Sequence, residues 1–581
     1  MSHERPIRGL LETSSRTVFP LLRGLPILAW LLALVPLLRH GLCEGHDWLL
    51  EVVRVAQYRA ALLEGSFPPS WADDLYGGYG SPIFVFYAPL FVALSSFASW
   101  VAGSLTSGMA WVLGLASGLG GASIYLLARQ ILAEEKPRVA EAGARLATAF
   151  FVLSPYLLGN RDLRNAHAEF LALQLAPVAL LGLTLALRRN VYGPPLLTLG
   201  LALVVLAHNL TALVVLTFLL LGCSLAWIDR RSKAEAVRAD SLPTLLSALS
   251  LALTATAFFW IPALHYGSWM RREELLKGKF DFHNQFPPLQ QFFGLEEFFG
   301  VGPLPILLLA VAGFFGLRSP TDDPLRRCVE RALIALGLVF IFLTHPMSTF
   351  VWEQMPFLPL FQFPWRWAGP LTLVTALLTA TTWAHLARHL PNRLMKGLEV
   401  FFFLVLSAQA LPHLHRVQPI APEIRQQLAT SMESQNLRRL GVTSTVLDEY
   451  LPSSARPDLW RRKPAWQGPL LNEHQLGRVD VQEAPHRLRL QTRDVKQEIV
   501  VPLRRWNFPG WRARTGNQVL DVLQGPGGVV ALRLPSGDRE VELRHVGPPL
   551  RRKLLPVSAL AWILWFLLLG RAWKASTRLR N

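Results

Sequence analysis

The sequence predicts an all-α polytopic membrane protein of about 12–13 transmembrane or re-entrant helices, with a small external β-rich domain before the last span. Three observations predict it. Apolar residues fall in long blocks instead of short amphipathic periods; 51% of the chain is hydrophobic against 17% charged, and the mean hydropathy is +0.30. Lys and Arg, 58 against 40 Asp and Glu, gather in short loops between those blocks, where they report orientation. In a soluble chain a net charge of +18 would point to nucleic acid; here none is expected as a partner, and the bilayer itself is. Finally, between 413 and 555 the apolar blocks give way to polar and alternating text.

In chain order, the block at 20–39 follows a basic stretch and has no clear small-residue cleavage site after it, so it reads as a retained first span. Further blocks lie near 83–104, 107–129, 144–158, 168–187, 194–208, 210–228, 241–262, 302–317, 330–345, 366–386, 397–412 and 556–571. Several are short and need tilt or burial against neighbours. From residue 188 onward, alternate loops carry the cations: Arg188-Arg189, Arg230-Arg231-Lys233-Arg238, Arg318-Arg326-Arg327, Arg388-Arg393-Lys396 and Arg571-Lys574-Arg578-Arg580. These read as cytoplasmic, which places 159–167, 263–301, 346–365 and 413–555 outside a prokaryotic plasma membrane. A basic N-terminus (Arg5, Arg8, Arg16, Arg23) puts 40–82 outside too, so three blocks between 83 and 158 join two outer segments. One of them therefore does not cross, leaving twelve spans with both termini cytoplasmic. The expected units are a transmembrane unit 1–412 with an external loop 40–82, an external domain 413–555, and a last span with a basic tail, 556–581. Within 413–555, Pro422–Gln427 is helix-compatible, His486–Gln491 alternates like a strand, and Val529–Leu534 with Val541–Leu543 reads as a hairpin closed by Pro535-Ser536-Gly537-Asp538; β structure is expected from about 478.

The unusual polar residues sit in the outer segments. Gly45-His46-Asp47-Trp48 precedes an amphipathic helix carrying Val52, Val53, Val55, Ala56 and Tyr58; Asp47 is placed to act as a general base, to bind a divalent metal, or to cap that helix. Asn160–Glu169 sets Glu169 at the mouth of an apolar span, with Arg161 and Arg164 able to pair a phosphate and Asp162 or Glu169 able to handle a proton or a sugar hydroxyl. The same residues would also serve as a structural ion-pair cluster. His208-Asn209 interrupts apolar text, as a turn or as the lining of a polar cavity. Gln362-Phe363-Pro364-Trp365-Arg366 stacks aromatics around a Gln and an Arg at a span start, where Arg366 would contact a lipid phosphate or snorkel. Cys43, Cys223 and Cys328 fit neither a disulfide framework nor a metal spacing, and no phosphate loop or nucleophile elbow appears, so ATP-driven transport and serine hydrolysis have no support.

Taken in order, several motifs resemble the bacterial and archaeal membrane family labelled 6-pyruvoyl-tetrahydropterin synthase-related, itself similar to the C-type (GT-C) superfamily of lipid-phosphosugar-dependent glycosyltransferases. They are His46-Asp47 with Gly65-x-x-Pro68 and Gly78-Tyr79-Gly80-Ser81-Pro82-x-x-x-x-Tyr87-x-Pro89, then Arg161–Glu169, His208-Asn209-Leu210-Thr211, and Gln362–Arg366. Phe508-Pro509-Gly510-Trp511 looks like part of the external domain of related membrane proteins. No pterin chemistry is expected, because no matching histidine cluster is present. The resemblance implies a GT-C-like fold in which a polyprenyl-phosphate sugar enters from lipid and is transferred to a glycan, lipid or protein acceptor. It implies catalytic roles for Asp47 and Glu169, and substrate contacts from His46, Arg161, Asp162, Arg164, His208, Asn209, Gln362, Trp365 and Arg366. No Asp-x-Asp pair occurs in the second segment, so a divalent metal stays an open possibility. A flippase of lipid-linked sugars, which would favour two similar halves, and a noncatalytic scaffold for surface-glycan assembly are the competing readings.

Overall fold

The computed structural model describes residues 22–231, 241–293, 301–318, 321, 323–432, 434–443, 448–456, 458–461, 479–484 and 487–578. The expected orienting residues Arg5, Arg8, Arg16, Lys233, Arg238 and Arg580, and His486, lie outside them.

Every apolar block is helical where described. The helices are α1 (Leu25–His40), α2 (Trp48–Leu63), α3 (Leu90–Ala102), α4 (Leu105–Ile131), α5 (Pro137–Val152), α6 (Pro155–Asp162), α7 (His167–Leu187), α8 (Gly193–Ala207), α9 (Asn209–Arg231), α10 (Ser241–Ala255), α11 (Ala257–His265), α12 (Pro303–Arg318), α13 (Pro324–Thr344), α14 (Ala368–His389), α15 (Asn392–Arg416) and α16 (Pro549–Arg578). Local chemistry sets their ends. Proline opens α5, α6 and α13, where its missing N–H costs nothing. Gly103, at φ 76°, ends α3 in the left-handed conformation, and the Ser104 hydroxyl then accepts from Ser107 N–H to start α4.

Among the described residues, five helices are long and apolar enough to cross a membrane: α4, α5 with α6, α7, α15 and α16; two bent pairs raise this to seven. Twelve spans were expected. The difference arises because several blocks fold as helices of 10–17 residues, too short to pass on length alone. On α16, Leu560, Ile563, Phe566 and Leu567 are more than half exposed, a face that only hydrocarbon solvates without cost.

Two clusters fix the ends of the bundle. At one end, His46 N–H donates to Leu163 O (2.9 Å) and Asp47 N–H to Arg164 O (3.1 Å), joining the loops after α1 and α6. At the other, Glu135 pairs with Arg326 and Arg388, and Arg188 with Asp323 (2.8 Å). The 27 residues of α4 span roughly 40 Å and end at this basic cluster, so α4 begins at the opposite end. Its neighbour α3 is only 13 residues and starts where Phe91 packs on His167, at the head of α7. Both ends of α3 therefore lie at the same end of the bundle, and 83–104 is the block that does not traverse it. Helix α2 was expected to be an amphipathic helix of the external loop. In the structure Glu51, Arg54 and Gln57 are buried, because the segment 72–87 covers them: Gln57 pairs with Asp74 (2.8 Å) and Glu51 with Tyr87 (2.6 Å).

Between α15 and α16 lies the β-rich region. After the two-residue pair β1 (Cys43–Glu44) and β2 (Gln418–Pro419), it comprises β3 (Val479–Ala484), β4 (Arg487–Thr492), β5 (Ile499–Trp506), β6 (Trp511–Thr515), β7 (Gln518–Leu520), β8 (Val522–Gln524), β9 (Val529–Leu534) and β10 (Arg539–His545). They form an antiparallel five-stranded sheet, β3-β4-β10-β6-β7, and a three-stranded one, β5-β9-β8. The expected hairpin of β9 and β10 does not form. Val529–Leu532 is buried on successive residues, as suits a central strand, so β9 sits between β5 and β8, while β10 alternates and pairs with β4 and β6 in the other sheet. The region docks on the loop after α2 through Tyr79 stacked on Trp506 (4.5 Å), Trp506 N–H donating to Tyr79 O (2.9 Å), and Arg505 donating to Gly78 O (2.5 Å). The Gly78-Tyr79-Gly80 motif is thus a docking surface: Gly78 and Gly80 hold φ of 90° and 79° there.

Candidate functional site

Three loops and one helix junction converge where the first cluster joins the bundle. A glycine makes the first approach possible: a Cβ on Gly45 would lie 2.0 Å from Asn165 Oδ1 and 2.3 Å from Leu163 O. That approach sets Asp47 beside Arg164. Although Asp47 occupies the cap position of α2, its side chain makes no capping bond, and its carboxylate has no hydrogen bond among the described residues. It is half-buried, and its charge acts on Arg54, Arg164 and Arg366.

Glu169, expected to be catalytic, is 5% exposed and fully engaged. Tyr156 Oη donates to Oε1 (2.6 Å), Arg164 Nη1 to Oε2 (2.8 Å), and Arg366 Nε lies 3.3 Å from Oε2. With both oxygens committed, it holds the two arginines in place. Arg164 lies over the rings of Trp365 (4.8 Å) and Phe363 (5.8 Å), and Arg366 over Phe363 (4.8 Å), so the aromatic motif is a shelf for guanidinium groups. Arg164 Nε and Nη2 and Arg366 Nη2 make no hydrogen bond among the described residues. The Glu169 and Asp47 carboxylates hold the Arg164 guanidinium above its usual range, whereas burial and the Arg164 charge bring Arg366 down to about 10.

Gln362 spans the gap between loops: Nε2 donates to Leu275 O (3.2 Å) and Oε1 accepts from Arg366 Nη1 (3.3 Å), in a backbone at φ 63°. His208 Nδ1 accepts from Thr211 N–H (3.3 Å) and meets Thr211 Oγ1 at 2.9 Å, which caps α9 and leaves the neutral-ring proton on Nε2. Burial pushes His208 down to about 4, so the ring is neutral near pH 7. Glu169, His208, Thr211 and Arg366 line one end of a cavity closed by Leu173, Val214 and Trp367. The structure thus gathers Asp47, Arg164, Glu169, His208, Gln362, Trp365 and Arg366.

Other expected residues are elsewhere. Arg161 and Asp162, 1% and 2% exposed, face each other through Nε–Oδ1 (2.7 Å) and Nη2–Oδ2 (2.5 Å), and Arg161 Nη2 also donates to Ala33 O (2.6 Å). They fasten α6 to α1 as a buried ion pair and do not line that cavity. His46 is exposed and enters the structure through its backbone, and Asn209 Nδ2 donates to Phe86 O (3.3 Å). Residues that sequence reasoning missed are Glu51, Arg54 and Tyr156, while Tyr87 was singled out only as part of the Gly78–Pro89 motif. Asp47, Glu51 and Arg54 recur at helical spacing, a polar stripe on α2 that was legible beside its apolar positions. For a metal, the fit is poor: among the described residues no three His, Cys, Asp or Glu side chains group to hold one, and the site carboxylates are already balanced by arginines.

Fold and site together define an integral multi-pass membrane protein with a polar, arginine-rich site at one end of its helical bundle. No protein-family model matches the chain, and no curated protein is significantly similar to it. Among solved structures it is similar to the mycobacterial arabinofuranosyltransferase AftD (19% identity, TM-score 0.40, covering 74% of this chain and 28% of that one). It is similar also to the archaeal oligosaccharyltransferase AglB of Archaeoglobus fulgidus (13%, TM-score 0.43, 74% and 60%) and to ArnT of Cupriavidus metallidurans (14%, TM-score 0.37, 74% and 78%). The chain thus spans less than two thirds of the first two.

Proposed function

We propose that this protein is a membrane glycosyltransferase that moves a sugar from a polyprenyl-phosphate donor to an acceptor hydroxyl on the outer face of the membrane. The observation that carries this reading is Asp47: a carboxylate with no hydrogen bond among the described residues, at the loop that meets Arg164 and with its charge acting on Arg164 and Arg366. Arg164 and Arg366 bind the phosphate of the donor and offset the charge it gains on leaving. As the acceptor oxygen bonds to the anomeric carbon, its proton passes to Asp47, and the carbon–oxygen bond to phosphate breaks with its electron pair going to phosphate. Glu169 and Gln362 are positioning residues for the arginines. The neutral His208 offers its Nε2–H beside them. Helices that are exposed and apolar leave the prenyl chain in lipid while the phosphate stays at the interface. No step requires a metal.

Asp47→Asn tests this directly. Purified wild type is expected to transfer sugar from one of a panel of polyprenyl-phosphate sugars when candidate acceptors are supplied, and the variant to lose at least 100-fold, on the order of what a general base supplies. Equal turnover would remove Asp47 from the mechanism, and an intact surface glycan in cells carrying only Asp47→Asn would favour the scaffold reading.

A further inference from the structure

We propose that the segment 346–360 is a membrane foot, lying in the plane of the bilayer with Met347, Phe350 and Phe357 inserted among the lipid chains of the leaflet at the site end of the bundle. This stands on the bend and the packing of the segment and does not depend on the donor reading above.

Helix α13 runs from the ion pair of Arg326 and Glu135 at one end of the bundle to the site end, where Phe340 stacks on Trp367 (5.4 Å) next to Arg366. Its 21 residues cover roughly 31 Å, the thickness of a hydrocarbon core. The chain then bends by 92° into Pro346–Gln354. Hydrogen bonds build this bend. Leu343 O, left open by the end of α13, accepts from Ser348 Oγ (3.3 Å) and Trp352 Nε1 (3.1 Å), and His345 Nδ1 accepts from Met347 N–H (3.2 Å). A helix at right angles to a spanning helix lies close to the plane of the membrane.

The segment has two sides. On one, Trp352 is fully buried, stacked on Phe282 (5.2 Å) and edge-on to Phe286 (6.0 Å), and Glu353 meets His283 (3.3 Å), so the loop 266–293 covers it. On the other, Met347, Phe350 and Phe357 are more than half exposed, and Met355 and Leu360 nearly so. Glu353 is the one charged residue between 346 and 363. In water these five side chains would form an exposed apolar patch, which soluble surfaces avoid. What covers them is set by Phe350. Its ring lies against Phe342 (6.2 Å), and Phe342 belongs with Leu338 and Val339 to the exposed apolar face of α13. The surroundings of that face on a spanning helix are lipid, and Phe350 extends it without a break onto the bent segment. Beyond the foot, Leu358 and Phe361 are buried, and Phe361 O accepts from Arg366 Nη1 (2.8 Å). The foot thus ends one hydrogen bond from the arginine site, which it holds near the lipid boundary.

Quenching of an environment-sensitive label reads this directly. Phe350→Cys and Phe357→Cys, and Lys277→Cys on the exposed part of the loop 266–293 as the reference, are made in the full-length chain with Cys43, Cys223 and Cys328 replaced by alanine. Each is labelled with a nitrobenzoxadiazole thiol reagent and placed in phosphatidylcholine nanodiscs, where both faces meet the buffer. All three positions are exposed, so the labelled chains should melt with wild type. Brominated acyl chains are expected to quench the labels at 350 and 357, and iodide in the buffer to leave them bright; at 277 the two quenchers should exchange effects. Iodide quenching at 350 and 357 would overturn the foot and put this face in water. Labels that neither quencher reaches would overturn it too, and would show the face covered by protein, a second copy or another chain.

Discussion

At the scale of single residues, two acids of the outer segments have opposite fates. Asp162 is paired with Arg161 inside the bundle, while the Asp47 carboxylate, at the start of α2, makes no hydrogen bond among the described residues. The sequence placed both among polar candidates because both follow the same rule, an acid near a span mouth. Which one is paired depends on a contact with α1 that no local pattern encodes. The buried pair makes a specific prediction. Arg161→Met strands the Asp162 carboxylate and should cost about 3–5 kcal/mol, whereas Arg161→Met combined with Asp162→Leu should recover most of it. Thermal melting in detergent reads this, and equal losses in the single and double variants would show that the pair holds no buried charge balance.

At the scale of elements, two contacts between loops and helices carry consequences. His283 joins the outer loops: Nδ1 meets Asp281 Oδ1 (2.7 Å), Nε2 meets Glu353 Oε1 (3.3 Å), and the adjacent Phe282 stacks on Trp352 (5.2 Å). The Asp281 carboxylate, then Glu353, raises the His283 imidazole above its usual 6.5. A group raised in this way contributes its stabilisation in full below 6.5 and loses it as pH rises through the higher folded value. Limited proteolysis of the 266–293 loop should therefore quicken between pH 6 and 8 in wild type, pH values chosen to bracket about 6.5, and become independent of pH in His283→Gln; parallel curves would discard the clasp. The second contact is α7 on α8. Cβ atoms added at Gly182, Gly193 or Gly200 would meet backbone atoms at 2.2, 2.2 and 2.4 Å, so small residues let the two helices touch along their length. Gly200→Ala must separate them, at about 1–3 kcal/mol. Because Glu169 begins α7 and His208 ends α8, both melting temperature and transfer activity should fall; an unchanged melting temperature would mean the helices do not pack this closely.

At the scale of the whole molecule, the helical blocks were legible because lipid-solvated helices need long apolar runs, and those runs stand out in any window. The β-rich region was legible too, from alternation and from Gly-containing turns, yet its pairing was not: β9 and β10 are adjacent in sequence and part into different sheets, because strand partners are chosen by burial on two faces and by long-range packing. The block that fails to traverse the bundle was foreseen from parity but not located, since α3 reads as apolar as its neighbours, and only the contact of Phe91 with His167 and the ion pairs of Glu135 place its ends. Composition and pattern by themselves determined a helical membrane chain, its polar candidates and a β-rich insert, because those follow from solvent preference and local period. Tertiary structure alone decided that Glu169 holds arginines, that Arg161 pairs with Asp162 inside the bundle, and that Glu51 and Arg54 are buried against Tyr87. Charge pairing depends on distances between segments up to hundreds of residues apart, and no sequence window contains them.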